Sequence, residues 1–307
     1  MIFTLHHVRP DQNLAFNPNA HLEVTPEFLG EAIETAKAAG MMPVSLEDLP
    51  ALLANASDQR TFVCFTLDDG NRDNARYAAP VFRKHGVPYT IFVAPGLAMR
   101  QRTMWWETIG ELLGKTSSFS FDFGAGTQVI NCASKTGKQD AFARFAHFVE
   151  TTDEDAAVAK IDELARSLGV DPMDIVEREI MSPDELRELA KDRLVSYGGH
   201  TMTHCNLARV DDSRLSYELV QSSRLVSEYG GRPVTTFAYP YGGRNAASVR
   251  ESLAAANAGI RVAVTTQPGV LSAESNLTAL NRVSLNGLYQ KRRYVRALIS
   301  GLPFRLM

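Results

Sequence analysis

Two carboxylates, Asp68 and Asp69, stand side by side directly after an apolar run over 61–67. Neighbouring carboxylates at the end of a buried strand repel one another and lose hydration, so they pair with cations or share a metal. An acidic turn that caps the next helix is the other use of such residues. A second group, Gly198-Gly199-His200-Thr201-Met202-Thr203-His204, follows another apolar run. Four-residue spacing on a helical turn would put both imidazoles on one face, within reach of one ion, although most such pairs are ordinary core or surface histidines. Two imidazoles and one carboxylate suit a divalent cation, zinc first, with cobalt, nickel or manganese as acceptable replacements. His7, Tyr241 and Arg282 also sit at or near the ends of β-rich runs. In a parallel barrel such ends converge on one rim, where active sites form.

Those ends require strands to position them. Short β-rich runs at 2–5, 61–67, 89–93, 194–197, 234–239, 260–265 and 280–285 alternate with helical patterns. This alternation predicts parallel strands joined by crossover helices. Ser182-Pro183-Asp184-Glu185 reads as a capping box with proline at the first helical position, and 212–229 reads as a helix closed by Gly230 and Gly231. The stretch from about 96 to 181 breaks the rhythm with a polar Gly/Ser/Thr-rich section and then a helical pattern. It is expected to be an insertion over one barrel rim.

The chain has 307 residues, 45% hydrophobic and 22% charged, enough to bury a sizeable core in one α/β domain spanning 1–307. A net charge of −3 from interspersed signs argues against nucleic acid as a partner. Cys64, Cys132 and Cys205, at unrelated spacings, suit reduced thiols. The N-terminus shows neither a basic flank nor a long apolar run, so a cytoplasmic protein without a signal peptide or membrane span is expected. Oligomeric state leaves no trace in the sequence.

At its chemistry-bearing residues the chain resembles the polysaccharide deacetylases, carbohydrate esterase family four. Thr66-Leu67-Asp68-Asp69-Gly70, continuing through Arg72-Asp73-Asn74 to 79–82 and 86–93, is similar to that family's first motif with its following helix and strand. His200-Thr201-Met202-Thr203-His204 is similar to its metal motif, and Phe237-Ala238-Tyr239-Pro240-Tyr241-Gly242 to the third motif of a branch that lacks the usual arginine there. The resemblance implies a distorted (β/α)7-type barrel, with Asp68 as general base and Asp69, His200 and His204 as metal ligands. It also implies hydrolytic deacetylation of an N-acetylated sugar in a glycan, oligosaccharide or glycoconjugate. Physical chemistry agrees with dividing the carboxylates, since a cation on Asp69 lowers the cost of the second charge and leaves Asp68 to accept a proton from water. The backbone N–H of Tyr241, aimed by a turn that Pro240 fixes, would stabilise the oxyanion.

The family's late histidine motif is absent around 280–283. Some relatives carry the acid after the first strand in a pattern like YHxV, which Leu5-His6-His7-Val8 resembles, and His7 is read as the general acid with His6, on the opposite side of the strand, as the alternative. His85 and His147 lie away from strand ends. Arg282 could pair with Asp68 in place of the missing arginine, or be an ordinary ion pair. Trp105 and Trp106 could wall a sugar ring or divide between core and surface. Cys205 points off the face that the two histidines would share. The competing functions are hydrolysis of another linear amide or an O-acetyl ester, a non-haem iron oxygenase built on the same donor set, and a catalytically silent carbohydrate-binding homologue.

Overall fold

A computed structural model describes residues 1–55 and 57–305. Seven parallel strands form its central sheet: β1 Ile2–Leu5, β2 Thr61–Leu67, β3 Tyr89–Val93, β4 Val195–Gly199, β5 Thr236–Ala238, β6 Val262–Val264 and β7 Val283–Ser284. All seven expected runs become strands, the last three shorter than their sequence patterns. Their order is β6-β5-β4-β3-β2-β1-β7, with a short eighth strand, Met41–Pro43, pairing alongside β2. Leu280 bridges in parallel to Val264 of β6, while Val283 and Ser284 pair with Phe3 and Thr4 of β1. The segment 280–284 therefore joins both ends of the order and curls the sheet into a distorted α/β barrel.

The strands are buried from both sides, as a parallel sheet covered by helices requires. β4 ends in Gly198 and Gly199 because there is no room for side chains: a Cβ on Gly198 would lie 2.4 Å from the Phe92 ring and 2.6 Å from Thr236 Oγ1. The helices start and stop as their sequences direct. Ser182 and Glu185 form the reciprocal capping box of Pro183–Leu189, and Asp212–Gly230 stops at Gly231, which adopts φ 67°.

The chain divides into two compact units. The first, comprising 1–11, 22–99 and 180–307, contains the barrel. The second comprises 12–21 and 100–179, so the insertion expected at about 96–181 falls largely on it. Within this second unit, four helices (Trp105–Lys115, Lys135–Thr151, Glu154–Ser167, Pro172–Glu179) accompany a hairpin of Ser118–Asp122 and Thr127–Asn131. Phe121 and Phe123 of the hairpin pack on Phe145 and Phe148 of the second helix. The three cysteines are buried. Among the described residues no helix is long and apolar enough to cross a membrane.

Candidate active site

β1, β2, β4 and β5 each hand a polar segment to the same end of the barrel. After β2, Asp68 is tied to the first strand by its amide, which donates to the Leu5 carbonyl at 3.0 Å. The chain then turns through the left-handed region at Asp69 (φ 75°) and Gly70 (φ 77°). After β4, Thr201 (φ 59°) and His204 (φ 56°) do the same, and after β5 Tyr241 (φ 62°). Four of the six non-glycine residues with positive φ among the described residues thus lie in these three loops. Such backbone is disfavoured for residues bearing a Cβ and persists where the surroundings over-determine it.

The result brings Asp69, His200 and His204 onto one point. Asp69 Oδ1 lies 3.4 Å from His200 Nε2 and 3.2 Å from His204 Nε2. A cation bound at ordinary lengths holds its ligand atoms roughly 3 to 3.4 Å apart, so the spacing fits a shared divalent ion. Buried Asp69 Oδ1 lacks a hydrogen-bond partner, which an ion would supply. His200 Nδ1 lies 2.7 Å from the Ala238 carbonyl, which fixes the proton there and leaves Nε2 as the donor atom. Burial pushes the Asp69 carboxyl up, but the adjacent His200 and His204 imidazoles override it and hold it well below the usual carboxylate range. The two imidazoles share a face through a non-helical turn, where a helical one was expected. Its tether is Glu218, buried on the helix Asp212–Gly230, whose Oε2 accepts from the amides of Met202 (2.7 Å) and Thr203 (3.0 Å) and whose Oε1 accepts from the Thr203 hydroxyl (2.7 Å). Sequence reasoning missed Glu218, because nothing local sets it apart from other helix glutamates.

Asp68 faces a different cation. Arg282 Nη1 and Nη2 lie 2.6 and 2.7 Å from its two carboxylate oxygens, a bidentate pair with both side chains buried. Arg282 also donates from Nε to the Thr265 carbonyl (2.8 Å) and from Nη1 to Thr66 Oγ1 (3.1 Å). Burial raises the Asp68 carboxyl, and Arg282 more than offsets it, so the group stays below its ordinary value. Arg282 lies just before β7 rather than beyond its end. With its guanidinium buried against protein, it orients the carboxylate and offers no surface to a substrate.

Of the two N-terminal histidines, His6 faces the carboxylates: its Nε2 lies 3.9 Å from Asp68 Oδ2. His7, the sequence choice, is buried with Nδ1 2.6 Å from Asp73 Oδ2, and Asp73 Oδ1 also accepts from the Val8 amide. Asn74 donates to the His6 carbonyl at 2.8 Å. Alternation along an extended chain sends neighbouring side chains to opposite sides, so only one of the pair can face Asp68. Tyr241 is exposed, and its ring lies 5.5 Å from that of His204. Pro240 is buried; its carbonyl accepts from the Gly242 amide at 2.7 Å, closing the turn that carries Tyr241. Trp105 is a core residue of the second unit, packed on Phe142 and Trp106, and is no stacking wall; Trp106 is half-buried there.

Scaffold and site together define a parallel α/β barrel with a two-histidine, one-carboxylate donor set beside an arginine-held carboxylate. The polysaccharide deacetylase family profile matches residues 55–263, and the chain belongs to that family. Its fold is similar to that of the Streptococcus pyogenes deacetylase PplD in complex with acetate (TM-score 0.63, 18% identity, 98% of this chain and 96% of that one). It is also similar to a de-N-acetylase from Aggregatibacter actinomycetemcomitans (TM-score 0.58, 13% identity, 97% and 98%) and to IcaB from Ammonifex degensii (0.56, 15%, 92% and 90%). In sequence, Bacillus subtilis YxkH, named as a polysaccharide deacetylase, is 26% identical over 106 residues, which span 34% of this chain and 37% of that protein.

Proposed function

We propose that the protein hydrolyses the acetamide of an N-acetylated sugar in a glycan, oligosaccharide or glycoconjugate, with a divalent cation, zinc first, held by Asp69, His200 and His204. The observation that carries this reading is the division of labour between adjacent carboxylates: Asp69 turned toward two imidazoles, Asp68 locked by Arg282. An iron oxygenase needs the first arrangement and has no use for the second. When bound, the cation would supply Lewis acidity at the acyl oxygen and make a water easier to deprotonate near neutral pH.

Asp68 is placed to take the proton of the attacking water, and Arg282 keeps it anionic and fixes both its oxygens. A carbon–oxygen bond forms to the acetyl carbon, the carbon–nitrogen bond breaks, and the leaving amine takes up a proton. We assign that donation to His6, which is beside Asp68, in place of His7, which is held by Asp73; burial holds the His6 imidazole below its ordinary value, so it takes up the proton that Asp68 removes from water and passes it to the amine. The Tyr241 backbone N–H is assigned to the developing oxyanion.

Release of acetate from a panel of acetamido sugars and sugar acetyl esters tests the reading, with chelator and zinc add-back as controls. Chelator-sensitive release from acetamido sugars is expected. No release from any of them sinks the proposal, and release from esters alone moves it to O-deacetylation. His6→Ala should abolish turnover and His7→Ala should retain part of it; the reverse pattern overturns the reassignment.

A further inference from the structure

The last 33 residues hold six of the chain's 32 lysines and arginines and none of its 35 acidic residues. Arg282 is buried on Asp68, and Arg292 lies 2.7 Å from Glu34 and 3.5 Å from Glu31. Lys291, Arg293 and Arg296 are exposed, with no carboxylate partner among the described residues. The same stretch displays large apolar side chains that the barrel leaves in water: Leu288 is 63%, Tyr289 53% and Leu302 60% exposed. Val270, 62% exposed, lies beside Gly301, 3.6 Å from where a Cβ there would stand. Next to them an apolar groove of about 270 Å³ is lined by Phe28, Leu285, Tyr289, Tyr294, Leu298 and Pro303. Arg293 stacks over the Tyr294 ring at its edge.

Protruding leucines and a tyrosine set among unneutralised cations match a surface that is apolar below and anionic above. A second copy of this chain matches it poorly, because a two-fold contact would bring the three cations against their own images. We propose that this C-terminal face docks on an anionic phospholipid bilayer, with Lys291, Arg293 and Arg296 against the lipid phosphates and Leu288, Tyr289 and Leu302 entering the headgroup boundary. Docking there needs neither metal nor turnover, so it stands or falls apart from the deacetylase reading. If both hold, the substrate is a membrane-proximal glycan.

Co-sedimentation of the full chain with vesicles decides it. Phosphatidylcholine vesicles containing about one quarter phosphatidylglycerol should retain the protein roughly tenfold better than pure phosphatidylcholine, and high salt should erase most of the difference. Arg293→Glu with Arg296→Glu, and separately Leu288→Ser with Leu302→Ser, should each lower retention while leaving the melting temperature and acetate release from a soluble sugar unchanged. Equal retention on both vesicles, or retention unmoved by either pair, overturns the proposal. So does self-association that the leucine pair disperses, without vesicle binding.

Discussion

At the scale of single residues, burial makes the site both costly and specific. Arg282 and Asp68 are each removed from water, so deleting one leaves the other charge stranded, at about 3–5 kcal/mol. Arg282→Met should lose that much stability in chemical denaturation and most turnover. Adding Asp68→Asn to it should restore much of the stability and none of the activity. Asp68→Asn alone should keep its metal, measured by elemental analysis, and lose roughly 10²–10⁴ in rate. Cys64 offers a simpler test. Burial pushes its thiol up to about 12, so the folded protein keeps it protonated well above the pH at which an exposed thiol ionises. A thiol reagent at mildly alkaline pH should leave Cys64 unlabelled until denaturant is added; rapid native labelling would show that the β2 core opens readily.

At the scale of elements, close approach and tethering set the geometry. Gly198→Ala must displace both Phe92 and Thr236 and should cost roughly 1–3 kcal/mol or more by denaturant titration, whereas Gly40→Ala, with φ 79° and no atom within 4 Å, should show only a modest backbone penalty. Glu218→Gln loosens the turn between His200 and His204 without touching either, and a competition titration should show zinc affinity lower by roughly 10–100-fold. These elements were legible to different degrees. The seven strands and the two capped helices announce themselves through apolar runs, Ser182, Glu185 and Gly231, which are local signals. The non-helical turn between His200 and His204 did not, because its shape is imposed by Glu218 from another element. Nor did the fact that His6 and not His7 faces Asp68, because neighbouring histidines differ only in which side of an extended chain each occupies, and the partner of His7, Asp73, lies 66 residues away. The clustering of Asp69, His200 and His204 was readable because their spacing and neighbours are themselves the motif. The pairing of Arg282 with Asp68 was anticipated as one use of an arginine there, although its place before β7, deep in the barrel, could not be read from a two-residue strand.

At the scale of the whole molecule, the cation and the fold should be thermodynamically linked. Asp69, His200 and His204 come from two loops well apart in sequence, so on the proposed function the folded state should bind an ion far better than the unfolded chain does. Zinc at about a thousand times its dissociation constant should stabilise folding by about 4 kcal/mol and raise the melting temperature, with chelator reversing the shift. An unchanged melting temperature would mean the triad holds no ion in the folded chain.

The segment 280–284 also has a bearing on when the site becomes competent. It closes the ring by touching both β6 and β1, and Arg282 sits inside it. Asp69, His200 and His204 all precede this segment in the sequence, whereas the guanidinium that holds Asp68 lies within it. On the proposed function, completing the ring and arming the base would be one event, and a molecule that frays at this seam should lose turnover before it loses its metal.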